Sequence, residues 1–287
     1  MWKTAFLMAG FLAVVLAIGY AVAWYYQSPS LLIVAIMFAV GMNVYSYWFS
    51  DKQVLSMTNA RPALREEFFD FYTVAENLAI SAGMPVPKLY VIDDLSPNAF
   101  ATGRNEKHAV IAATTGLLAM LTRPELEGVI AHELSHIKNR DILLMTVAVV
   151  LAGFLAILAD MFLRMSMFGG GRDSNSKGSG LFMILALVGI ILAPIAAQLI
   201  QLAISRRREY LADASGALLT RYPEGLASAL AKIDADHRPM SRSNHATAHL
   251  FIENPFGEEK STWLNRLFAT HPPTADRIKQ LLTPDGK

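Results

Sequence analysis

Two histidines four residues apart flank a glutamate in the run His132-Glu133-Leu134-Ser135-His136. On a helix, side chains one turn apart project from the same face, so both imidazoles can bind one cation. Glu133 sits beside the first ligand, where its carboxylate can take a proton from a metal-activated water. With 7 histidines in 287 residues, chance produces this pattern on the order of 0.007 times per chain, which leaves little room for two unrelated surface histidines. A catalytic zinc takes three protein ligands and keeps one position open. A third histidine six residues beyond the second is excluded, because positions 139 and 142 are Asn139 and Ile142. Glu209 is the better candidate, in Glu209-Tyr210-Leu211-Ala212-Asp213. Like charges at that spacing repel on a helix, and a nearby cation removes the penalty. Asp213 then suits the carboxylate that receives the second N–H of a ligand imidazole. The competing reading pairs Glu209 with Arg206 or Arg208 on an exposed face.

Helices must carry these groups. Thr122-Arg123-Pro124-Glu125 is a capping-box pattern with Pro just inside the start, opening a helix over 123–141 that runs on into an apolar window. Residues 206–220 and 223–234 read as helices, a loop-rich stretch covers 236–260, and a last helix follows Pro273. Upstream, Leu64, Phe68, Phe71, Ala75 and Leu78 recur at three- and four-residue steps, predicting a helix over 61–82 stopped by Gly83 and Pro85. Lys88–Ile92, Asn98–Thr102 and Ala109–Ala113 are short β-prone runs between turn signals, predicting a small sheet of three strands.

Four apolar windows, 5–26, 31–49, 142–163 and 181–205, hold a single charge, Asp160. Each is long enough for a hydrocarbon core about 30 Å thick. The first exceeds a signal peptide's apolar region and ends in the aromatic belt Trp24, Tyr25 and Tyr26, so it reads as an uncleaved span. Only Arg164, Arg172 and Lys177 lie in the 164–180 loop. The other 22 basic residues lie at the amino terminus, in 50–141 or in 206–287, with Lys52, Arg61, Lys138, Arg140 and Arg206–Arg208 near window ends; the positive-inside bias therefore puts both termini and both polar segments, 50–141 and 206–287, in the cytoplasm. The expected fold is mainly α: a four-span helical membrane protein with a cytoplasmic zincin-like α+β metallopeptidase domain carrying a small sheet. Charge falls to 17% overall only because of the windows; outside them it is about 24%, ordinary for a soluble domain. The near balance of 25 basic against 24 acidic residues argues against nucleic acid as a partner. The absence of cysteine excludes disulfide scaffolds, Cys-ligated metal sites and thiol catalysis. Asp160 reads more simply as the i,i+4 partner of Arg164 at a membrane edge than as a relay.

His132–His136 leading into one apolar window, Glu209–Asp213 following another, Asn98–Gly103 before them and His271-Pro272-Pro273-Thr274 after them resemble the bacterial HtpX family. These are heat-shock membrane zinc endopeptidases related to the CAAX prenyl endopeptidases. The resemblance covers essentially the whole chain. It implies one zinc held by His132, His136 and Glu209, with Glu133 as general base. It also implies substrates that are misfolded or damaged membrane proteins, cut at the cytoplasmic face of the bacterial inner membrane during envelope stress, alongside other quality-control proteases. By the same resemblance Asn98–Gly103 is an edge strand that pairs with substrate, against an ordinary turn role for Asn98. His271 either contacts substrate or its oxyanion, or serves as a packing residue beside two prolines. His245 and His249 have ligand-like spacing but lie in a Ser/Asn/Thr-rich stretch without an acid of their own, so loop or cleft lining is the better reading. The rivals are a CAAX-type peptidase, which wants a roomier chamber, and a non-catalytic zinc scaffold, which has no use for Glu133. A four-span transporter wants more intramembrane polar groups than Asp160.

Overall fold

The computed structural model describes residues 2–168, 206–241, 247, 250–253, 255 and 272–283. Two compact units are formed, Met1–Trp48 with Val147–Leu202 and Phe49–Thr146 with Ala203–Lys287.

The chain opens with α1 (Trp2–Tyr25) and α2 (Pro29–Met57). Among the described residues these are the two helices long and apolar enough to cross a membrane, with mean hydropathies of 2.4 and 1.7. They meet closely at Gly19, where a Cβ would stand 2.3 Å from that of Ala35. Small residues of this kind let membrane helices pack where lipid removes the hydrophobic drive between them. Phe154 adds an aromatic contact to Phe38, with ring centroids 5.0 Å apart.

The second unit is built on a mixed four-stranded sheet in the order β1-β2-β4-β3. Its strands are β1 (Arg61–Pro62), β2 (Lys88–Ile92), β3 (Ala99–Gly103) and β4 (Ala109–Thr114). The three expected strands are present, and β1 is an addition. Arg61 and Pro62 pair antiparallel with Val91 and Tyr90 instead of starting the helix expected from 61. Pro62 has no N–H to give a ladder and is tolerated at this edge. Arg61 holds the turn by bonding both Glu67 and Asp93. The helix itself, α3 (Phe69–Ala82), begins eight residues late and ends at Gly83, whose left-handed φ of 69° only glycine adopts without strain. β4 runs parallel to β2 and antiparallel to β3, which leaves β3 at the edge.

After the short α4 (Thr115–Met120), α5 (Arg123–Lys138) forms the centre of this unit. Every residue from Gly128 to Ile137 on it is buried. It packs on α3, β3, α7 (Arg206–Thr220) and α8 (Pro223–Asp234); α9 (Thr274–Leu282) closes the unit against α7 and α8. The expected cap is present: Glu125 Oε2 accepts from the Thr122 backbone N–H at 2.8 Å. The same carboxylate accepts from Ser228 at 2.6 Å and Lys232 at 2.7 Å, tying α5 to α8.

Burial opposes the charge on Glu125, but these donors outweigh it and pull its pKa down to about 2. Its stabilising effect is therefore full above the ordinary carboxylate range and is lost as pH falls toward 2. Glu125→Gln is expected to cost about 1–3 kcal/mol at neutral pH. Thermal melts of both proteins in detergent should converge as pH drops from 5 to below 3; a gap that is unchanged across that range would remove Glu125 from the acid-sensitive contacts.

The expected continuous run from 123 into the third apolar window is corrected. α5 stops at Asn139, Arg140 takes a left-handed φ of 59°, and a new helix, α6 (Asp141–Phe168), begins. The third window, 142–163, lies within α6, whereas the fourth, 181–205, lies outside the described residues. Arg164 Nε donates to Asp160 Oδ2 at 2.7 Å with both side chains exposed, as their spacing suggested.

Candidate metal centre

α5 places His132, Glu133 and His136 in the core, at 1%, 3% and 4% exposure. α7 brings Glu209 and Asp213 to them because it lies unusually close: a Cβ on Gly216 would meet the His132 backbone nitrogen at 3.0 Å. The imidazole Nε2 atoms of His132 and His136 face each other at 3.2 Å. Glu209 completes a triangle, with Oε1 3.6 Å from His136 Nε2 and Oε2 3.9 Å from His132 Nε2. One ligand atom from each of the three residues lies within 4.8 Å of the others.

This donor set fits a metal ion. Tetrahedral ligands at 2.0–2.1 Å from one zinc stand about 3.3 Å apart, close to these separations. Each ring's other nitrogen faces a carboxylate: His132 Nδ1 lies 2.9 Å from Asp213, and His136 Nδ1 lies 3.4 Å from Asp141. A proton assigned to each Nδ1 leaves both Nε2 lone pairs pointing at one another, an arrangement that a cation between them relieves.

Each of those carboxylates is backed by an arginine. Arg277, 1% exposed, grips Asp213 in a bidentate pair at 2.7 and 2.9 Å. Arg208 donates to Asp141 at 3.2 Å. Burial raises the cost of charge on Asp213, yet Arg277 and His132 outweigh it and hold its pKa at about 2. Burial likewise opposes charge on His136, while Glu209, Asp141 and Glu133 push its pKa up to about 9. Among the described residues, four carboxylates, Glu133, Asp141, Glu209 and Asp213, thus outnumber two guanidiniums in this buried cluster, which favours a divalent cation.

The structure therefore brings together His132, Glu133, His136, Glu209 and Asp213, and it sends Arg208 to Asp141 rather than to Glu209. Asp141 and Arg277 were not singled out in the sequence, and Arg208 was weighed there only as a partner for Glu209. Arg277 had one readable sign, since it shares a helical face with Thr274, Ile278 and Leu281, and an arginine among apolar neighbours needs a buried acid. Asn98 is buried, but its amide brackets the chain's own backbone: Nδ2 donates to Glu253 O at 3.0 Å and Oδ1 accepts from Glu253 N at 3.2 Å. His245, His249 and His271 lie outside the described residues.

Comparison with known proteins agrees with this geometry. The model of peptidase family M48 matches residues 67–285. A protease HtpX homolog from Thermoanaerobacter pseudethanolicus is 47% identical over 284 residues, covering 97% of this chain and 93% of that protein. Its counterpart in Pyrococcus abyssi is 50% identical over 282 residues, with 97% and 94% covered. That of Syntrophobacter fumaroxidans is 48% identical, with 98% of both chains covered. Among solved structures, S. mikatae Ste24p has the same fold, with a TM-score of 0.51 at 22% identity over 95% of this chain and 62% of that one. A family match across most of the chain, on a helix carrying His132, Glu133 and His136 beside a helix carrying Glu209, shows that the chain belongs to peptidase family M48 and is a metalloprotease.

Proposed function

We propose that this chain is a zinc endopeptidase of the bacterial inner membrane that cuts misfolded or damaged membrane proteins at the cytoplasmic face. The observation that carries the chemistry is the buried His132–His136–Glu209 triangle with Glu133 next to it in sequence. The proposed layout is four spans, 5–26, 31–49, 142–163 and 181–205, joined outside by a 164–180 loop. On this reading 50–141 and 206–287 form the two cytoplasmic halves of the peptidase, and other quality-control proteases share its substrates.

Zinc at the triangle would polarise the scissile carbonyl and make a water acidic enough to attack near neutral pH. Glu133 takes that water's proton as its oxygen bonds to the carbonyl carbon. The carboxylic acid then protonates the amide nitrogen as the C–N bond breaks. Asp213 and Asp141 hold His132 and His136 by their Nδ1 atoms, keeping each Nε2 turned to the metal. A large apolar transmembrane part tethers the enzyme to the bilayer in which its substrates are made.

The test is metal removal and return. Protein purified in detergent and stripped with a chelator should lose cleavage of a loosely folded protein such as casein, and stoichiometric zinc should restore it. Glu209→Ala should arrive with less zinc by mass spectrometry. Full activity after verified stripping, or undiminished zinc in Glu209→Ala, would refute the ligand assignment.

A further inference from the structure

The space bounded by His132, Glu133 and His136 is closed to anything larger than a water. Its volume is about 10 Å³, the room of one such molecule. Pockets that take even a small ligand run to about 300–1,000 Å³, and every residue of β3 alongside is buried. A polypeptide reaches the ligand triangle only if a wall of this space moves. The remaining walls are Ala101, Met145, Leu250 and Ile252.

These walls are held in different ways. Ala101 is laddered to Ile111 within the sheet, the two histidines and Glu133 belong to the buried centre of α5, and Met145 lies in α6. Moving any of them breaks a run of main-chain bonds. Leu250 and Ile252 are just as buried, but they sit in a turn and a bend. Their segment is fastened at two places. Before and at the start of β3, the Asn98 amide brackets the Glu253 backbone and Ala99 O accepts from Ile252 N at 3.0 Å. At the start of α9, Thr274 Oγ1 donates to Glu253 Oε2 at 3.1 Å, and Arg277 Nη1 donates to Ile252 O at 3.5 Å. Phe251 adds an edge-on contact to Phe100, with centroids 5.2 Å apart. Fastenings of this kind open locally at lower cost than the interior of a sheet or helix. Opening also spares the metal: Arg277 Nε and Nη2 grip Asp213, so release of Ile252 from Nη1 leaves the support of His132 in place.

We propose that Leu250–Glu253 is a strap that closes the metal centre at rest and lifts to admit substrate, resting on the peptidase reading above. The resting protein is held inactive by its own chain, and its turnover is set by the fraction of molecules with the strap lifted. In such a pre-equilibrium, kcat/KM scales with the open fraction. Hydrogen exchange at the backbone amides of Ile252 and Glu253 scales with the same fraction.

The experiment uses the zinc-loaded full chain in detergent and two variants: Thr274→Val, which keeps the shape and loses the hydroxyl, and Thr274→Ser, which keeps the hydroxyl. Exchange read by mass spectrometry is set beside casein cleavage in the same preparations. In the wild type, amides of Phe251–Glu253 should exchange at least about 100-fold faster than those of Gly128–Ile137 in α5. In Thr274→Val, exchange at the strap and kcat/KM should both rise about fivefold, the equivalent of one hydrogen bond of about 1 kcal/mol. Thr274→Ser should stay within about twofold of wild type in both. A bond that only stabilised the fold would not raise activity when removed. Strap amides as protected as those of α5, or faster exchange in Thr274→Val without faster cleavage, would overturn the strap. A wild type whose strap exchanges as expected but which cleaves nothing would instead refute the peptidase reading, so the two failures are separable.

Discussion

Glu133→Gln is expected to bind zinc as well as the wild type and to cleave about 10²–10⁴-fold more slowly, the range a positioned acid–base group supplies. The amide matches the carboxylate in shape, so α5 keeps its packing, in which Glu133 is only 3% exposed. Metal should be retained because the proposed ligand triangle is His132, His136 and Glu209, and Glu133 is not part of it. What the amide cannot do is take a proton from water and return it to the leaving nitrogen. The measurement pairs metal content with casein cleavage in one preparation. A variant that holds zinc and cleaves within tenfold of wild type would transfer the base to another group.

Arg277→Met is expected to destabilise the protein by about 3–5 kcal/mol, because it strands the Asp213 carboxylate in the core without its bidentate partner. The effect should extend to the metal: Asp213 lies 2.9 Å from His132 Nδ1, and loss of such outer support typically weakens metal binding 10–100-fold. Lysine should not rescue, since a single ammonium cannot reproduce the two-pronged contact. Pairing the change with Asp213→Asn should recover part of the stability, because no charge is then left buried. Melting temperature and zinc affinity across the four proteins of this cycle test the coupling. Independent, additive losses would show that Arg277 acts elsewhere.

The parts of the centre that could be read in the sequence are those governed by helical period. His132 with His136 and Glu209 with Asp213 are each one turn apart, and both helices formed, the first from its capping box. The unread parts depend on contacts with no period. Asp141 reaches His136 only because the left-handed Arg140 breaks the helix; in an unbroken helix, a residue five positions on points to a different face. Arg277 lies 64 residues from Asp213, and Glu253 lies 155 from Asn98, distances across which no local pattern carries information. β1 was missed for another reason, since two residues ending in proline have none of the alternation by which strands are recognised.

The close approach at Gly216 has a mechanical consequence. Glu209, Asp213 and Gly216 all ride on α7, which behaves as a rod, and the rod touches the α5 backbone at His132 with no side chain between. Any displacement of that rod withdraws the third ligand and the carboxylate behind the first ligand in one stroke. The gap between these two helix axes therefore sets the distance of Glu209 from both imidazoles and of Asp213 from His132 Nδ1. Metal retention and the alignment of His132 both depend on that one spacing.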